Sequence, residues 1–219
     1  MNRLAVFDCD GTLVDSQATI CAAVEQGFNA CAIVPPGAQA ARGIIGLSVV
    51  EAMAVLHPDG DHRAHVALAD AYKAAFFDLR AQGLAREPLY DGIVEAIADV
   101  EARGWLLGVA TGKSDRGLAH ILATHGLGDR FVTLQTADRH PSKPHPSMLE
   151  QAMADAGAAP NTTAMIGDTS YDMAMARAAG VRAIGVAWGY HDAALLREAG
   201  AEIIATHASE LVGLLEALP

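Results

Sequence analysis

Residues 5–16 read AVFDCDGTLVDS, an apolar run ending in Asp8 and Asp10, one residue apart, and then Gly11 and Thr12. The run Leu4–Phe7 is apolar without alternation, as a strand buried on both faces of a parallel sheet would be. Two carboxylates at the end of such a strand repel each other, and burial penalises both charges. The pair therefore needs a positive charge or a shared proton between its members. Ligands of parallel α/β sheets gather at the carboxyl ends of the strands, which is where these acids stand.

From about residue 91 onward the chain alternates. Trp105–Ala110, Phe131–Leu134, Thr163–Ile166, Arg182–Ala187 and Glu202–Ala205 are short apolar runs that predict further buried strands. Helical spacing fills the intervals, as in Gly92–Arg103 with Ile93, Ile97 and Val100 on one side. Gly104, Gly126, Gly157, Gly180 and Gly200 stand where these helices should end, as left-handed caps do. The predicted class is α/β, a Rossmann-like parallel sheet flanked by helices. Residues 15–85 break the rhythm. Thr19–Ala30, Ser48–His57 and Asp61–Ala81 predict helices, separated at Pro35-Pro36-Gly37 and Pro58-Asp59-Gly60, with no strand among them. The expected organisation is a core domain of residues 1–14 and 86–219 and an inserted all-helical cap domain of residues 15–85. Its two crossings would be hinges that let it close over the end of the first strand.

Further polar residues fall at predicted strand ends. Thr111 ends WLLGVA, Asp168 ends TTAMIG, and Asp172 follows one helical turn later. Lys143 lies in the proline-bounded loop PSKPHP, ahead of a helix starting near Ser147. Several carboxylates at one edge need a counter-charge, and Mg²⁺ prefers oxygen ligands of this kind. A hydroxyl and an ammonium suit the oxygens of a phosphoryl group. A carboxylate can attack phosphorus once such charges offset the repulsion between two anions. Phosphoryl transfer to an aspartate is the chemistry this set suits.

FDCDGTLVDS, VATGK, SKPHP and GDTSYDM, in that order, resemble the four motifs of the haloacid dehalogenase-like (HAD) superfamily. The whole chain resembles its phosphoglycolate-phosphatase-like branch, which carries a helical cap after the first motif. The resemblance implies that Asp8 is the nucleophile and forms an aspartyl-phosphate. Asp10 would protonate the leaving alkoxide and then take a proton from the hydrolytic water. Mg²⁺ would be held by Asp8, the backbone carbonyl of Asp10, and Asp168. Thr111 and the Gly112 amide would bind phosphoryl oxygens, Lys143 would neutralise them, and Asp172 would position Lys143 or a metal-bound water. Arg42-Gly-Ile-Ile-Gly46 resembles the cap loop that reaches the leaving group, with Arg42 near a second anionic group of the substrate.

The implied activity is Mg²⁺-dependent hydrolysis of a small phosphorylated metabolite, phosphoglycolate first. A sugar phosphomutase like β-phosphoglucomutase is the alternative within the superfamily. A non-enzymatic phospho-aspartate switch is the alternative outside it, although a receiver domain has no place for a helical insertion. Asp10 argues against a dehalogenase. The spacing of ATGKS fails as a nucleotide-binding P-loop because Leu107 stands where its first glycine belongs. His62 and His65 have metal-ligand spacing with no third ligand, so a solvated helix face is expected. Cys9 should be a small core residue.

Composition limits the partners. The formal net charge of −11 argues against nucleic-acid or anionic-membrane binding. No apolar run approaches the roughly 18 residues of a membrane span, and no signal-peptide pattern opens the chain. Cys9, Cys21 and Cys31 form no CxxC pair and fit a reducing cytosol. The expectation is a cytoplasmic monomer or homodimer.

Overall fold

The computed structural model describes residues 1–217. Six strands form one parallel sheet: β1 (Asn2–Phe7), β2 (Leu106–Thr111), β3 (Thr133–Thr136), β4 (Ala158–Gly167), β5 (Arg182–Val186) and β6 (Ile203–Ala205), in the order β3-β2-β1-β4-β5-β6. The chain runs outward from β1 to β3 and then crosses back to lay β4 against the other side of β1. Strand order therefore reverses at β1, and the crevice at the carboxyl ends of β1 and β4 is the natural ligand position of such a sheet.

Helices α5 (Ile93–Ala102), α6 (Asp115–Thr124) and α10 (Leu211–Glu216) cover one face, burying Ile97, Val100, Ile121 and Leu211 against Ala5 and Phe7. Helices α7 (Ser147–Ala156), α8 (Ser170–Ala179) and α9 (Ala193–Ala199) cover the other, where Met148, Leu149, Met173 and Leu196 meet Leu4 and Val6. Successive side chains of β1 thus feed opposite cores, which is why its sequence is apolar throughout.

Four helices lie between β1 and α5: α1 (Gln17–Ala30), α2 (Ala38–Gly43), α3 (Val49–Leu56) and α4 (His62–Ala81). They build a separate apolar cluster around Val24, Phe28, Met53 and Leu68. The two chain segments that lead in and out run side by side. The Asp15 amide donates to the Pro88 carbonyl (2.8 Å), the Tyr90 amide donates to the Leu13 carbonyl (3.0 Å), and the Thr19 hydroxyl bridges the Arg86 amide and carbonyl. No helix among the described residues is long and apolar enough to cross a membrane.

The α/β class and every predicted strand are present, with shifted ends. The third strand begins at Thr133 rather than Phe131, because Phe131 turns inward and sets its ring edge-on to Phe7, centroids 6.4 Å apart. The fourth starts five residues early, since Ala158–Thr162 with Pro160 and Asn161 is too exposed to leave an apolar signal. All five helix-ending glycines have positive φ, from +61° to +118°. Helix α2 has no counterpart in the expectation. Its six residues bury only Ala41, so no periodic face marks it, and Arg42 and Gly43 form its last turn rather than a loop.

Candidate active site

Asp8 follows β1, and Asp168 follows β4; Asp172 belongs to the first turn of α8. All three are buried, and each offers a carboxylate oxygen within 4.8 Å of the others. Gly11, at φ +91°, makes the close approach possible, because a Cβ there would lie 2.1 Å from Asp168 Oδ2. Asp168 accepts one hydrogen bond on each oxygen, from the Thr12 hydroxyl (2.9 Å) and the Tyr190 amide (2.9 Å). Asp172 completes a capping box with Thr169, accepting from the Thr169 amide (3.0 Å) and hydroxyl (2.7 Å).

Lys143 threads its fully buried side chain between two of these acids. Its Nζ donates to Asp172 Oδ1 at 2.6 Å and stands 2.8 Å from Asp8 Oδ1. Lys143 is the one close partner of the Asp8 carboxylate among the described residues, and Asp8 Oδ2 is buried without a donor. Burial, with Lys143 opposing and Asp172 adding to it, pushes the Asp8 carboxyl up to about 7. Burial, then Asp8 and Asp172, raises Asp168 as well. Burial alone would lower the Lys143 ammonium, but Asp172 and Asp8 outweigh it and the net shift is upward. Three crowded carboxylates have one ammonium among them, and Asp8 keeps one bare oxygen. Such an all-oxygen donor set fits a hard divalent cation.

Asp10 does not join this cluster through its side chain. Its Oδ1 sits 2.8 Å from Lys113 Nζ and accepts from the Ser16 hydroxyl. Lys113 reaches on to Glu87 (3.3 Å), which takes both arms of the Arg80 guanidinium at 2.9 Å each. A run of alternating charges thus joins the β1 end, the β2 end, the returning crossing and α4. Lys113 and Glu87 were not singled out in the sequence. Lys113 could have been, since it directly follows Thr111 and Gly112 in VATGK.

Thr111 is buried at the end of β2, and its hydroxyl accepts from the Lys113 amide at 3.2 Å. The helix behind it is capped by Ser114, not by Thr111. Gly112 touches the helical insertion, because a Cβ on it would lie 2.5 Å from the Leu47 carbonyl oxygen and 2.7 Å from that of Gly46. The same loop is tied to the core by the Ser48 amide on the Ser142 hydroxyl (2.9 Å) and by the Tyr171 hydroxyl on the Gly43 carbonyl (3.1 Å). Gly46 is buried in it, beside Thr169. Gly112→Ala should push this loop off the core. The expected cost is about 1–3 kcal/mol, a Tm fall of roughly 2–12 °C. An unchanged Tm in a thermal melt would show that the loop yields freely.

Arg42 is exposed, donates Nη2 to the Gly189 carbonyl (3.3 Å), and does not line the cavity between insertion and core. That cavity, about 370 Å³, opens onto Asp10, Gly46, Gly112 and Lys113. His145 is exposed, and its Nδ1 accepts from the Ser147 amide. His65 Nε2 lies 2.9 Å from the His57 carbonyl oxygen, and Cys9 is fully buried.

Residues 5–186 match the family model of haloacid dehalogenase-like hydrolases, and the chain belongs to that family of enzymes. It is 38% identical over 224 residues to the probable phosphatase IndB of Dickeya dadantii, covering 100% of this chain and 95% of that protein. It is 31% identical over 196 residues to the phosphoglycolate phosphatase of Pseudomonas putida, covering 86% of this chain and 71% of that one. The crystal structure of a predicted phosphatase from Clostridium acetobutylicum superposes with a TM-score of 0.89 at 25% identity, each chain covered in full.

Proposed function

We propose that this hydrolase is a Mg²⁺-dependent phosphatase that cleaves a small phosphomonoester through a phosphoaspartate on Asp8. The observation that carries the reading is the buried Asp8 carboxylate, with an ammonium 2.8 Å from one oxygen and the other oxygen without a donor. Phosphatase names among the relatives support it.

Asp8, Asp168 and the Asp10 carbonyl would hold the Mg²⁺, which when bound would offset the charge of the acids and of the phosphoryl oxygens. An Asp8 oxygen attacks phosphorus, and the free Oδ2 leaves the contact between Oδ1 and Lys143 intact. Lys143 stands beside it to neutralise the incoming phosphoryl group, and Asp172, itself fixed by Thr169, keeps the ammonium in place. Thr111 and the Gly112 amide take further phosphoryl oxygens. Asp10 handles the proton of the leaving alkoxide and then that of the hydrolytic water. Lys113 and Ser16 both engage Asp10 Oδ1, which leaves Oδ2 for these protons. Residues 15–85 would serve as the cap, with the paired crossings at Asp15–Pro88 and Leu13–Tyr90 as its hinge. The reaction would take place in the cytosol.

The test is phosphate release from a panel containing 2-phosphoglycolate, sugar phosphates and nucleotides. Release should fall at least about a hundredfold in chelator and return with Mg²⁺. Release indifferent to chelator would remove the metal from the reading. Isomerisation of β-glucose 1-phosphate without release would move the protein to the mutases.

A further inference from the structure

We infer that the phosphomonoester taken by this site carries a flat aromatic or heteroaromatic ring on its leaving group, with a polar acceptor or anionic group beyond the ring. The inference rests on the phosphatase reading and specifies its substrate.

The cavity that opens onto Asp10 and Gly112 has a volume of about 370 Å³. Ligand pockets of roughly 300–1,000 Å³ hold drug-sized molecules, whereas phosphoglycolate brings only a two-carbon acid beyond its phosphate. Its wall mixes apolar and charged side chains and carries three aromatic rings. Tyr72, Phe76 and Phe77 of α4 line it together with Ile44, Ile45 and Met53. Tyr72 and Phe76 lie with ring centroids 5.9 Å apart and planes tilted by 55°. Phe77 is 55% exposed although it lines a cavity next to the reacting groups. A small hydrophilic ester would leave the Phe77 ring in water, and a flat ring would cover it.

The cations that line the cavity differ in whether they are already paired, and Lys73 is paired with Asp70. Lys113, deep inside, lies 5.5 Å from the Phe76 ring centroid but is already engaged by Asp10 and Glu87. Arg80 is held by Glu87. Arg116, at the outer end, rests its guanidinium 5.4 Å from the Phe77 ring centroid and has no carboxylate within ion-pair distance among the described residues. Its five donors are therefore available to an acceptor beyond the ring. Arg42, expected to meet a second anion, is outside the cavity, so the distal recognition passes to Arg116.

The test compares kcat/KM for nucleoside 5′-monophosphates and phenyl phosphate with that for ribose 5-phosphate, n-butyl phosphate and 2-phosphoglycolate, all with Mg²⁺. The ring-bearing esters should exceed the ringless ones by at least about tenfold. Phe76→Ala, and independently the exposed and structurally mild Phe77→Ala, should lower the ratio of kcat/KM for a ring-bearing ester to that for ribose 5-phosphate by roughly tenfold. Arg116→Ala should lower the nucleotide-to-phenyl-phosphate ratio. A preference for phosphoglycolate, or ratios unmoved in both phenylalanine variants, overturns the ring assignment while leaving a phosphatase. No release from any ester by the wild-type protein overturns the phosphatase reading and this inference together.

Discussion

Asp8→Asn should abolish turnover, by at least about 10⁴-fold on every ester the wild type hydrolyses, as expected when a nucleophile is removed. The fold should survive, because the amide is isosteric and Lys143 keeps its bond to Asp172 at 2.6 Å. The same substitution has a second readout. Burial pushes the Asp8 carboxyl from 3.8 to about 7. Between those values the folded state holds a proton that the unfolded chain has released, so this group makes metal-free stability fall as pH rises from about 4 to about 7. Asparagine removes that penalty. In chelator, Asp8→Asn should melt above the wild type at pH 8, with the difference shrinking toward pH 4. Mg²⁺ should raise the wild-type Tm at pH 8 and raise that of the variant much less. A variant that keeps most of its turnover ends the role of Asp8 as nucleophile. One that melts below the wild type at pH 8 contradicts the crowded-acid account of the site.

The sequence announced the central strands because they are buried on both faces, which leaves a run of apolar residues. It announced the acids because two carboxylates at the end of a buried strand need a counter-charge. Strand ends were less visible where burial was supplied from elsewhere, as with Phe131, which serves the core from outside its strand. Helix α2 was invisible because its six residues bury a single alanine. Lys113 shows a different gap. Its place in VATGK was plain, but its partners Asp10 and Glu87 lie 103 and 26 positions away, and only the fold brings them within 2.8 and 3.3 Å. The aromatic side of the cavity was hidden for a similar reason. Tyr72, Phe76 and Phe77 read as part of one helix, and the face they turn toward α6 depends on how the insertion sits on the core.

Lys143→Met is the second substitution with a large expected effect, and it separates stability from catalysis. The ammonium is fully buried between Asp8 and Asp172, and an apolar side chain of similar length would leave both acids without a counter-charge. Breaking a buried pair in this way costs about 3–5 kcal/mol, against a total stability of about 5–15 kcal/mol for a typical domain. The metal-free variant should therefore melt far below the wild type or be partly unfolded. Mg²⁺ should recover more of its Tm than it adds to the wild type, because the cation takes over part of the missing charge. Turnover should not recover, since the phosphoryl group has lost the ammonium beside the attacking oxygen. The double variant Lys143→Met, Asp172→Asn removes one of the orphaned charges and should regain part of the lost stability in chelator, still without activity. Additive losses in the double variant would mean that Asp172 is held by Thr169 alone and that its bond to Lys143 contributes little. Recovery of turnover together with stability would reduce Lys143 to a structural counter-ion and leave Thr111 and Gly112 as the chain's own phosphoryl ligands.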